Sequence, residues 1–599
     1  MTLPAPAGPS SGQHSTCNLQ LSTCNRSVPT LVTPLDSPYL RGCVPNRSFL
    51  QTRFAPLALA LTVCSITFPS LSADSPPHPN ILFILPDQWR AQAFGFAGDP
   101  NAKTPNLDRL QKQSVWFINA VAGVPVCCPT RASIMTGQRA TTHGVFLNDA
   151  RLSTNVTTLA EVFRSAGYDT GYIGKWHLDG PERLAFIPPE RHHGFDYWKV
   201  LECTHDYNRS VYYGDTPELL KWEGYDAIAQ TRDAQQFLRA HAKSEKPFLL
   251  FLAWGPPHDP YETAPMRYRA LFQPDKLQLR PNVPKAAETR ARNDLAGYYA
   301  HCAALDACVG ELLTTLKETG LDRNTIVVFT SDHGDMLGAH GMHKKQKPYD
   351  ESTRVPFLIR LPASLTTKSR KLDALINSED IMPTLLGLCG LPLPKTVEGL
   401  DFSPYIRRSL GLPLLWSAGA ERSGDPAFAS SSPRSHTTTG SSDPDRSTVL
   451  ALPWGEGWGE GEGIVRQPTV HEPAPIHRAK VYDESKKDPS GGAALLACIA
   501  PFGEWTRRVG GREYRGIRTT RYTYVRDLKG PWLLFDNKTD PYQLKNLIGS
   551  PRAAKLQAEL EATLQHKLQA AHDDFLPAAD YIRQWNYAVD STGTIPYTR

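Results

Sequence analysis

The stretch Asn80-Ile-Leu-Phe-Ile-Leu-Pro-Asp87-Gln88 indicates the fold class of this 599-residue chain. Five consecutive apolar residues precede Pro86, and two polar residues follow it at once. A β-strand with one face in water alternates apolar and polar residues, whereas a strand buried on both faces is apolar throughout. The stretch therefore predicts a central strand of a parallel sheet that ends in Asp87 and Gln88.

Three later apolar runs, at 169–174, 247–254 and 324–331, have the same character. Segments with helical periodicity lie among them, over 155–168 and 291–320. Buried strands that alternate with helices are typical of α/β proteins. The sequence therefore predicts an α/β fold in which a large, mixed but mostly parallel sheet is sandwiched by helices.

Reactive side chains follow each of these four apolar runs directly. Ligands of open α/β sheets collect at the carboxyl ends of the strands, so these side chains are expected to meet at one edge. One histidine after a strand is more often an ordinary loop residue than a catalyst, but four such arrivals favour a functional site. The residues are Asp87, Lys175, His177, His258, Asp332 and His333.

The sequence changes character twice beyond the last of these runs. Residues 413–490 are rich in Ser, Gly, Pro and Thr without a sustained period, which predicts a disordered insertion of low complexity. Residues 512–527 then alternate, and 552–572 are amphipathic, which predicts an antiparallel sheet and a helix. The expected organisation is a catalytic domain over 79–411, the insertion, and a smaller C-terminal α+β domain over 491–599.

The N-terminal region, residues 1–73, is an extension that we leave out of the predicted fold. Residues 53–73 combine a basic flank, a short apolar run and small residues, which is the pattern of a cleaved secretory signal peptide. A membrane anchor is the alternative, but Pro56 and Pro69 bracket fewer residues than the roughly 20 of a spanning helix. We expect export to a periplasmic, extracellular or equivalent secretory compartment without a stable membrane span, and lipid anchoring is a minor alternative.

Charge and cysteine usage exclude other classes of protein. The formal net charge is only +5, so nucleic acid is not expected as a partner. Four of the eleven cysteines fall within residues 1–73, and the seven others are scattered without the CxxC spacing of a zinc site. Because an odd number of thiols cannot all pair, a disulfide-stabilised scaffold is not expected.

Two adjacent cysteines stand in Val126-Cys-Cys-Pro-Thr-Arg-Ala-Ser-Ile-Met-Thr-Gly137. Pro129 suits the first turn of a helix, and the residues after it continue a helical pattern. A cysteine at a helix N-terminus has its thiolate favoured by the helix dipole, which is one way to make a nucleophile. A buried structural thiol fits the same position equally well.

The segment from Cys127 to Gly137 resembles the signature of the sulfatase family, Cys-x-Pro-Ser/Thr-Arg with a Thr-Gly or Leu-Gly a few residues on. The resemblance covers about 79–411 and resumes near 512. It implies an alkaline-phosphatase-like fold and the hydrolysis of sulfate esters. In that family a maturation enzyme oxidises the first cysteine of the signature to Cα-formylglycine, whose aldehyde hydrate is the nucleophile.

The register of the signature separates the two cysteines. Pro129 and Arg131 stand two and four positions after Cys127, as the signature of the family requires. The resemblance therefore implies that Cys127 becomes formylglycine, while Cys128 fills the variable position. Arg131 is implied to stabilise the modified residue and the carboxylates of a metal site.

The resemblance also implies a metal site. The stretch that ends at Asp87 is similar to the opening metal strand of the family, which commonly ends Asp-Asp, and here Gln88 offers an oxygen without a charge. Asp332 and His333 occupy the second half of the site, and modified Cys127 completes it. Oxygen-dominated ligation favours one calcium ion, and the imidazole leaves magnesium or manganese open.

The remaining catalytic residues come from three further matches to the family. Lys-x-His corresponds to Lys175 and His177, Pro-Pro-His ends at His258, and the lysine four residues before a Tyr-Asp pair is Lys345. The resemblance implies that the metal, Lys175 and Lys345 neutralise the sulfuryl oxygens, with Asp332 as a base for the attack. His258 or Lys345 would protonate the departing alcohol, and His177 would take the proton that releases sulfate.

Substrate and function class leave alternatives open. A sulfated saccharide is the expected substrate, and a polar loop within 203–210 is a candidate for binding its hydroxyls, with an ordinary surface loop as the alternative. "PDQWR" at 86–90 is also similar to phosphonate monoester hydrolases, phosphodiesterases of that kind and choline sulfatases. A third possibility is an inactive saccharide-binding homologue in which Cys127 stays a thiol. The four candidate substrate-binding residues are His205, Asp206, Tyr207 and Asn208.

Overall fold

The computed structural model describes residues 78–414 and 488–598. Fourteen strands are described. They are β1 (Asn80–Ile84), β2 (Val115–Phe117), β3 (Asp169–Lys175), β4 (Tyr197–Leu201), β5 (Val211–Tyr212), β6 (Leu220–Lys221), β7 (Phe248–Ala253), β8 (Thr325–Thr330), β9 (Phe357–Arg360), β10 (Arg370–Leu372), β11 (Ala493–Cys498), β12 (Tyr514–Thr519), β13 (Tyr522–Asp527) and β14 (Gly530–Asp536).

Twelve α-helices accompany these strands in the same two ranges, besides short 3-10 turns. They are α1 (Pro105–Gln111), α2 (Cys127–Thr136), α3 (Ala140–His143), α4 (Leu159–Ser165), α5 (Asp226–His241), α6 (Met266–Arg269), α7 (Glu288–Glu318), α8 (Asp350–Thr353), α9 (Ile381–Leu388), α10 (Ser403–Ser409), α11 (Ala554–Ala570) and α12 (Ala578–Gln584).

Eight strands form the large sheet, in the order β10-β2-β9-β8-β1-β7-β3-β4. The four apolar runs of the sequence are β8, β1, β7 and β3, and they lie side by side in parallel at its centre. Only β9 runs antiparallel to both of its neighbours within this sheet as described. The predicted mixed, mostly parallel sheet is therefore confirmed.

Strand β1 shows why an unbroken apolar run belongs at the centre. The side chains of Ile81 and Phe83 pack into one core, which contains α2, α4 and α9, and those of Leu82 and Ile84 pack into another, which contains α5 and α7. All four are fully buried. Burial of each such side chain stabilises the fold by about 1.5–3 kcal/mol relative to exposure, which holds β1 and its polar end in place.

A second sheet lies in the C-terminal part, with the antiparallel order β11-β12-β13-β14. One face packs on α11, where Tyr524 shares a core cluster with Leu564. The opposite face packs on residues of the first part of the chain, where Val525 shares a core cluster with Met336 and Tyr349. The predicted antiparallel C-terminal sheet is confirmed, and its alternating sequence follows from these two apolar faces.

Several sequence predictions lie outside the described residues. They are the N-terminal extension, the signal peptide over 53–73 and nearly all of the insertion over 413–490. Within the two ranges that the structure covers, no helix has the length and apolar character that crossing a bilayer requires.

Candidate active site

The carboxyl ends of the central strands deliver polar side chains to one pocket. Asp87 follows β1, and its backbone N–H donates to the carbonyl of Trp254 at the end of β7 (3.0 Å). Asp332 follows β8, and its carboxylate accepts the backbone N–H of Gln88 (2.9 Å). Both carboxylates are fully buried. The parallel arrangement of these strands thus brings residues 245 positions apart in sequence into the same small volume.

Helix α2 places Cys127 against these carboxylates. Cys127 is the first residue of the helix, after an extended Val126, and Pro129 lies in the first turn as predicted. The Sγ atom lies 3.2 Å from His333 Nε2 and 3.6 Å from Asp87 Oδ1. It also lies 3.2 Å from Lys345 Nζ. The side chain therefore occupies the centre of the pocket.

The thiol of Cys127 is not activated by its position. Burial raises its pKa to about 12, with the charge of Asp87 acting in the same direction and those of Lys175 and Lys345 opposing it. The sequence left open a thiolate that the helix dipole favours. In the structure, burial raises the pKa of this thiol by more than the dipole and the lysines lower it. An unmodified Cys127 would therefore be a poor nucleophile at neutral pH.

Arg131 ties the two carboxylates together from one helical turn below Cys127. Its NH2 group donates to Asp87 Oδ2 (3.2 Å), and its Nε group donates to Asp332 Oδ2 (3.1 Å). The third nitrogen donates to the carbonyl of Lys175 (2.9 Å). Because all of these groups are buried, the fork of the guanidinium fixes both carboxylates in place.

Four potential metal ligands converge in this pocket: one ligand atom from each of Asp87, Cys127, Asp332 and His333 lies within 4.8 Å of the others. His333 Nδ1 lies 2.9 Å from the carbonyl of Gly334, which only a protonated Nδ1 can satisfy, so Nε2 faces the cluster with its lone pair. Burial lowers the pKa of His333. Two carboxylates and a neutral imidazole fit a divalent cation.

The carboxylate of Asp87 is also held in its charged form. Burial alone would raise the pKa of Asp87, but the charges of Lys175 and Arg131 hold it well below its usual range. Lys175 Nζ lies 2.7 Å from Asp87 Oδ2 and is the shortest of these contacts. Asp87 is therefore ready to bind a cation at any physiological pH.

Gln88 stands next to this cluster in a left-handed backbone conformation, with φ of 70°. Its Nε2 group donates to Asp335 Oδ2 (2.6 Å), and its Oε1 atom accepts a hydrogen bond from Lys345 Nζ (3.3 Å). The amide oxygen thus lies on the pocket side, against the lysine that also contacts Cys127. Asp335 holds the amide in that orientation.

Lys345 and His258 form a hydrogen-bonded pair. Lys345 Nζ donates to His258 Nε2 (2.9 Å), while His258 Nδ1 donates to the carbonyl of Asp259 (2.8 Å). Burial, and then the charge of Lys345, hold the pKa of His258 well below its usual range, so the imidazole is neutral. Burial opposes the charge of Lys345, but Cys127 and Asp87 raise its pKa. The lysine is therefore the member of the pair that carries the proton.

His177 lies beside this group in a left-handed conformation, with φ of 59°. Its Nε2 atom lies 3.4 Å from Asp149 Oδ1. Its Nδ1 atom is buried without a hydrogen-bond partner among the described residues. The structure thus joins the other sequence-predicted catalytic and metal-site residues by direct contacts, whereas His177, two positions after Lys175, contacts Asp149, a carboxylate that the sequence did not single out.

The loop at 203–210 is only partly directed at the pocket. His205 is exposed and stacks on His258, with ring centroids 4.8 Å apart. Tyr207 instead lies in the core, where its hydroxyl donates to the carbonyl of Asp259 (3.2 Å). Asp206 pairs with Arg209 (2.9 Å). The structure therefore places Tyr207 away from any surface on which a substrate could lie.

Asn208 is exposed beside Tyr207, and its amide donates to the carbonyl of Thr263 (2.9 Å). The second cysteine of the signature, Cys128, is buried in the apolar core and accepts the backbone N–H of Asp149 (3.3 Å). None of the seven cysteines within the described ranges forms a disulfide. Cys127 and Cys128 are therefore neighbours with separate surroundings, one polar and one apolar.

Asp149, Arg183 and Asp335 are the residues of this region that sequence reasoning missed. Asp335 follows Asp332 by three positions in Thr-Ser-Asp-His-Gly-Asp, so its place in the same segment after the strand is a signal that could have found it. Asp149 and Arg183 follow no strand and match no motif, and Asp149 is 28 positions from His177. Only the folded chain shows that they meet.

The parallel sheet, the buried carboxylates and the flanking lysines and histidines define a hydrolase of the alkaline-phosphatase-like class. The profile of the sulfatase family matches residues 79–391. An ulvan-active sulfatase from Formosa agariphila is 40% identical over 528 residues, which cover 88% of this chain and 88% of that protein. The chain belongs to the sulfatase family and is a sulfuric ester hydrolase.

Further relatives agree with this assignment. An endo-4-O-sulfatase from Bacteroides thetaiotaomicron is 32% identical over 387 residues, covering 56% of this chain and 74% of that protein. The structure of yidJ, a Bacteroides fragilis protein assigned to the sulfatases, superposes with a TM-score of 0.65 at 26% identity and covers 85% of this chain and 98% of that chain.

Proposed function

We propose that this sulfatase removes sulfate from a saccharide, using a formylglycine made from Cys127 and one bound divalent cation. The observation that carries the proposal is the position of Cys127 Sγ, between His333 Nε2, Asp87 Oδ1 and the two lysines. An oxygen at that position would be in reach of a cation and of the groups that neutralise a sulfuryl anion.

Conversion of Cys127 requires a maturation enzyme that supplies a two-electron oxidant. The Cβ carbon is oxidised by two electrons, its C–S bond is replaced by C=O, and sulfur leaves as sulfide. When hydrated, the aldehyde supplies an oxygen nucleophile, which a thiol with a pKa of about 12 does not replace. The register of Pro129 and Arg131 favours Cys127 over Cys128 for this conversion.

Asp87, Asp332, His333 and the modified Cys127 would hold the cation, and Gln88 offers an amide oxygen beside them. We favour calcium, because oxygen ligands predominate, with magnesium or manganese as alternatives. Once bound, the cation would act as a Lewis acid toward a sulfuryl oxygen.

The chain's own residues divide the remaining work. Lys175 and Lys345 offer positive charge to the sulfuryl oxygens, whose charge is redistributed in the transition state. One hydroxyl of the hydrated formylglycine gives its proton to Asp332 and attacks sulfur, and the S–O bond of the ester breaks as the new O–S bond forms. Lys345 or His258 gives a proton to the departing alcohol oxygen, and their 2.9 Å hydrogen bond allows the pair to be reprotonated as a unit. His177 then accepts the proton of the second hydroxyl, the C–O bond to the sulfate group breaks, and sulfate leaves as the aldehyde C=O re-forms.

A saccharide is favoured as substrate for two reasons. The relatives that this chain matches over most of their length include an ulvan-active sulfatase and an endo-4-O-sulfatase. His205 is exposed on top of the catalytic pair, stacked on His258, which suits contact with the leaving-group sugar. Asp206 and Asn208 border it, whereas Tyr207 supports the loop from the core.

We also propose that the protein is exported and matured on the way. The pattern at 53–73 supports a cleaved signal peptide, and the formylglycine-generating enzyme would then be a partner of the unfolded chain. Because Cys127 is buried in the folded protein, the thiol must be oxidised before the fold closes over it.

The function is tested with protein made in a host that converts the signature cysteine. Initial rates are compared for 4-nitrophenyl sulfate, a 4-nitrophenyl phosphonate monoester, choline sulfate and sulfated oligosaccharides from ulvan, with sulfate release followed by ion chromatography. We expect the sulfated oligosaccharide to give the highest kcat/KM and the aryl sulfate to be a slower surrogate.

Two results would contradict the proposal. Much faster cleavage of the phosphonate ester would place the enzyme with phosphonate monoester hydrolases. A preference for choline sulfate would contradict the proposal that the substrate is a saccharide. Absence of all turnover, with Cys127 still a thiol, would support an inactive saccharide-binding protein. Cys127→Ala serves as the matched blank in every assay.

A further inference from the structure

Two residues in left-handed conformations face each other beside the pocket. Asp149 has φ of 63° and His177 has φ of 59°. Such conformations cost free energy in residues with a side chain and persist where the surroundings enforce them. Their side chains meet, with Asp149 Oδ1 at 3.4 Å from His177 Nε2, and both are buried.

Three hydrogen bonds, two from Arg183 and one to Cys128, fix Asp149. Arg183 donates from Nε to Oδ1 and from NH2 to Oδ2 of the carboxylate, each at 2.7 Å. The backbone N–H of Asp149 donates to Cys128 Sγ (3.3 Å). The Arg183 guanidinium in turn lies over the ring of Tyr597, 3.4 Å from its centre. A bidentate pair of this kind sets both the position and the orientation of a carboxylate.

The backbone that carries His177 is fixed as well. The buried carboxylate of Glu202 accepts the backbone N–H groups of Leu178, Asp179 and Gly180 at 2.8–3.1 Å. The backbone N–H of Thr598 donates to the carbonyl of Pro181 (3.0 Å), so the segment around Tyr597 also braces this loop. The backbone next to His177 therefore cannot shift away from Asp149 without breaking several buried hydrogen bonds.

We propose that Asp149 is a positioning residue that fixes the tautomer of His177, with Arg183 and Tyr597 as its outer supports. An ionised carboxylate that already accepts from Arg183 has no proton to give, so the contact with His177 requires a hydrogen on Nε2. The proton acceptor is then Nδ1, the nitrogen that is buried without a partner. This inference rests on the proposed function for the role of His177, and its geometry stands independently.

The ionised state of the carboxylate agrees with this arrangement. Burial alone would raise the pKa of Asp149, but the hydrogen bonds from His177 and Arg183 lower it to about 2. Asp179 offers a matched comparison in the same loop, since it pairs with Arg191 (2.8 Å) and does not contact His177.

The first measurement is the 15N–1H correlation spectrum of the wild-type enzyme labelled in its histidines, with His177→Gln to assign the signal. We expect His177 to be protonated on Nε2, with Nδ1 unprotonated. A proton on Nδ1 would overturn the proposal. This readout needs no turnover, so it decides the inference even where the proposed function fails.

The second measurement is steady-state kinetics of Asp149→Asn and Asp179→Asn. We expect Asp149→Asn to lower kcat by about 10- to 100-fold with little change in KM, because an outer-shell carboxylate tunes a catalytic imidazole to about that extent. Asp179→Asn should stay within about twofold. A kcat for Asp149→Asn within about threefold of wild type, or a change in KM alone, would overturn the proposal.

Discussion

The pocket around Cys127 and the junction between the two sheets both bury several charges. At the junction the protein itself compensates the buried carboxylate, whereas in the pocket part of the charge stays uncompensated. At the junction, Asp350 accepts two hydrogen bonds from Arg518 (3.0 and 3.1 Å) and one from Arg354 (3.2 Å). Its backbone N–H donates to Gln543 Oε1 (2.9 Å). Both oxygens of this carboxylate have partners, so its charge is compensated within the protein, and we call the network closed in that sense; Arg354 Nε has no partner in the two described ranges.

The pocket is left open by comparison. Three cationic side chains, Lys175, Lys345 and Arg131, face two carboxylates, Asp87 and Asp332. Its metal-ligand atoms cluster within 4.8 Å of one another. These five groups together carry one net positive charge, which suits an anionic substrate once a cation has joined the carboxylates.

The extent of charge compensation therefore distinguishes buried charges that support a fold from buried charges that perform chemistry. A closed network compensates its buried charge with groups of the protein itself and contributes to the structure alone. Open networks leave charge uncompensated, at a cost in stability, and mark the place where a ligand completes them. Substitutions in the two regions should therefore separate activity from stability.

The largest effect is expected from Cys127→Ala, which should abolish sulfate release while leaving the fold intact. The residue makes no contact that the closed networks need, and its removal deletes the nucleophile. Rates with an aryl sulfate and the thermal midpoint would be measured together. The control is Cys128→Ala, which should keep most of the activity. Equal loss in both variants would show that the signature register is wrong.

Lys345→Ala should lower kcat by about 10²–10³-fold, since it removes one preorganised charge from the transition state. It also removes the donor to His258 Nε2. The matched control is Lys344→Ala, because that lysine is partly exposed and pairs with Asp259 at 3.4 Å. Steady-state kinetics would check both, and a larger loss in Lys344→Ala would move the catalytic role to the neighbouring lysine.

Arg518→Ala should destabilise the protein by about 3 kcal/mol, because it leaves Asp350 buried with part of its compensation gone. Activity per folded molecule should remain near the wild-type value. Urea denaturation and kinetics at low temperature would test the two statements. The control, Arg521→Ala, removes an exposed pair with Asp536 and should leave the midpoint nearly unchanged. Loss of activity without loss of stability in Arg518→Ala would contradict the assignment of this network to structure alone.

The smallest effect concerns Asp226, a buried carboxyl outside both networks whose Oδ1 atom has no partner among the described residues. Burial raises its pKa to about 8. The folded state then binds the proton more tightly than the unfolded state, so this group lowers stability as pH rises from about 4 to 8.

Asp226→Asn removes this pH dependence, and a gain in stability on the order of 1–2 kcal/mol at pH 8 is expected. Near pH 4 the variant and the wild type should be alike. Denaturation midpoints across this pH range would measure the gap, and a gap that does not widen with pH would show that Asp226 is paired in solution.

Much of the fold followed from the sequence, because unbroken apolar runs identify strands that are buried on both faces. The runs that became β1, β3, β7 and β8 ended in polar residues, and parallel topology alone brings such ends together. The C-terminal antiparallel sheet followed from alternation at 512–527, which the structure divides into β12 and β13.

The parts that sequence could not predict depend on single contacts. Tyr207 belongs to the core although its neighbours are polar, because one aromatic residue in a loop has no period that marks its direction. Asp149 meets His177 where the bidentate pair with Arg183 holds its carboxylate. A contact between distant loops leaves no local pattern in the sequence.

The central claim is that Cys127 ceases to be a cysteine, and the mass of the tryptic peptide that contains it tests this most directly. Protein from a maturation-competent host should yield a peptide lighter by the difference between a CH2SH and a CHO group, with fragmentation placing the change at Cys127 and leaving Cys128 as a thiol. An active enzyme whose peptide carries two unmodified cysteines would contradict the account.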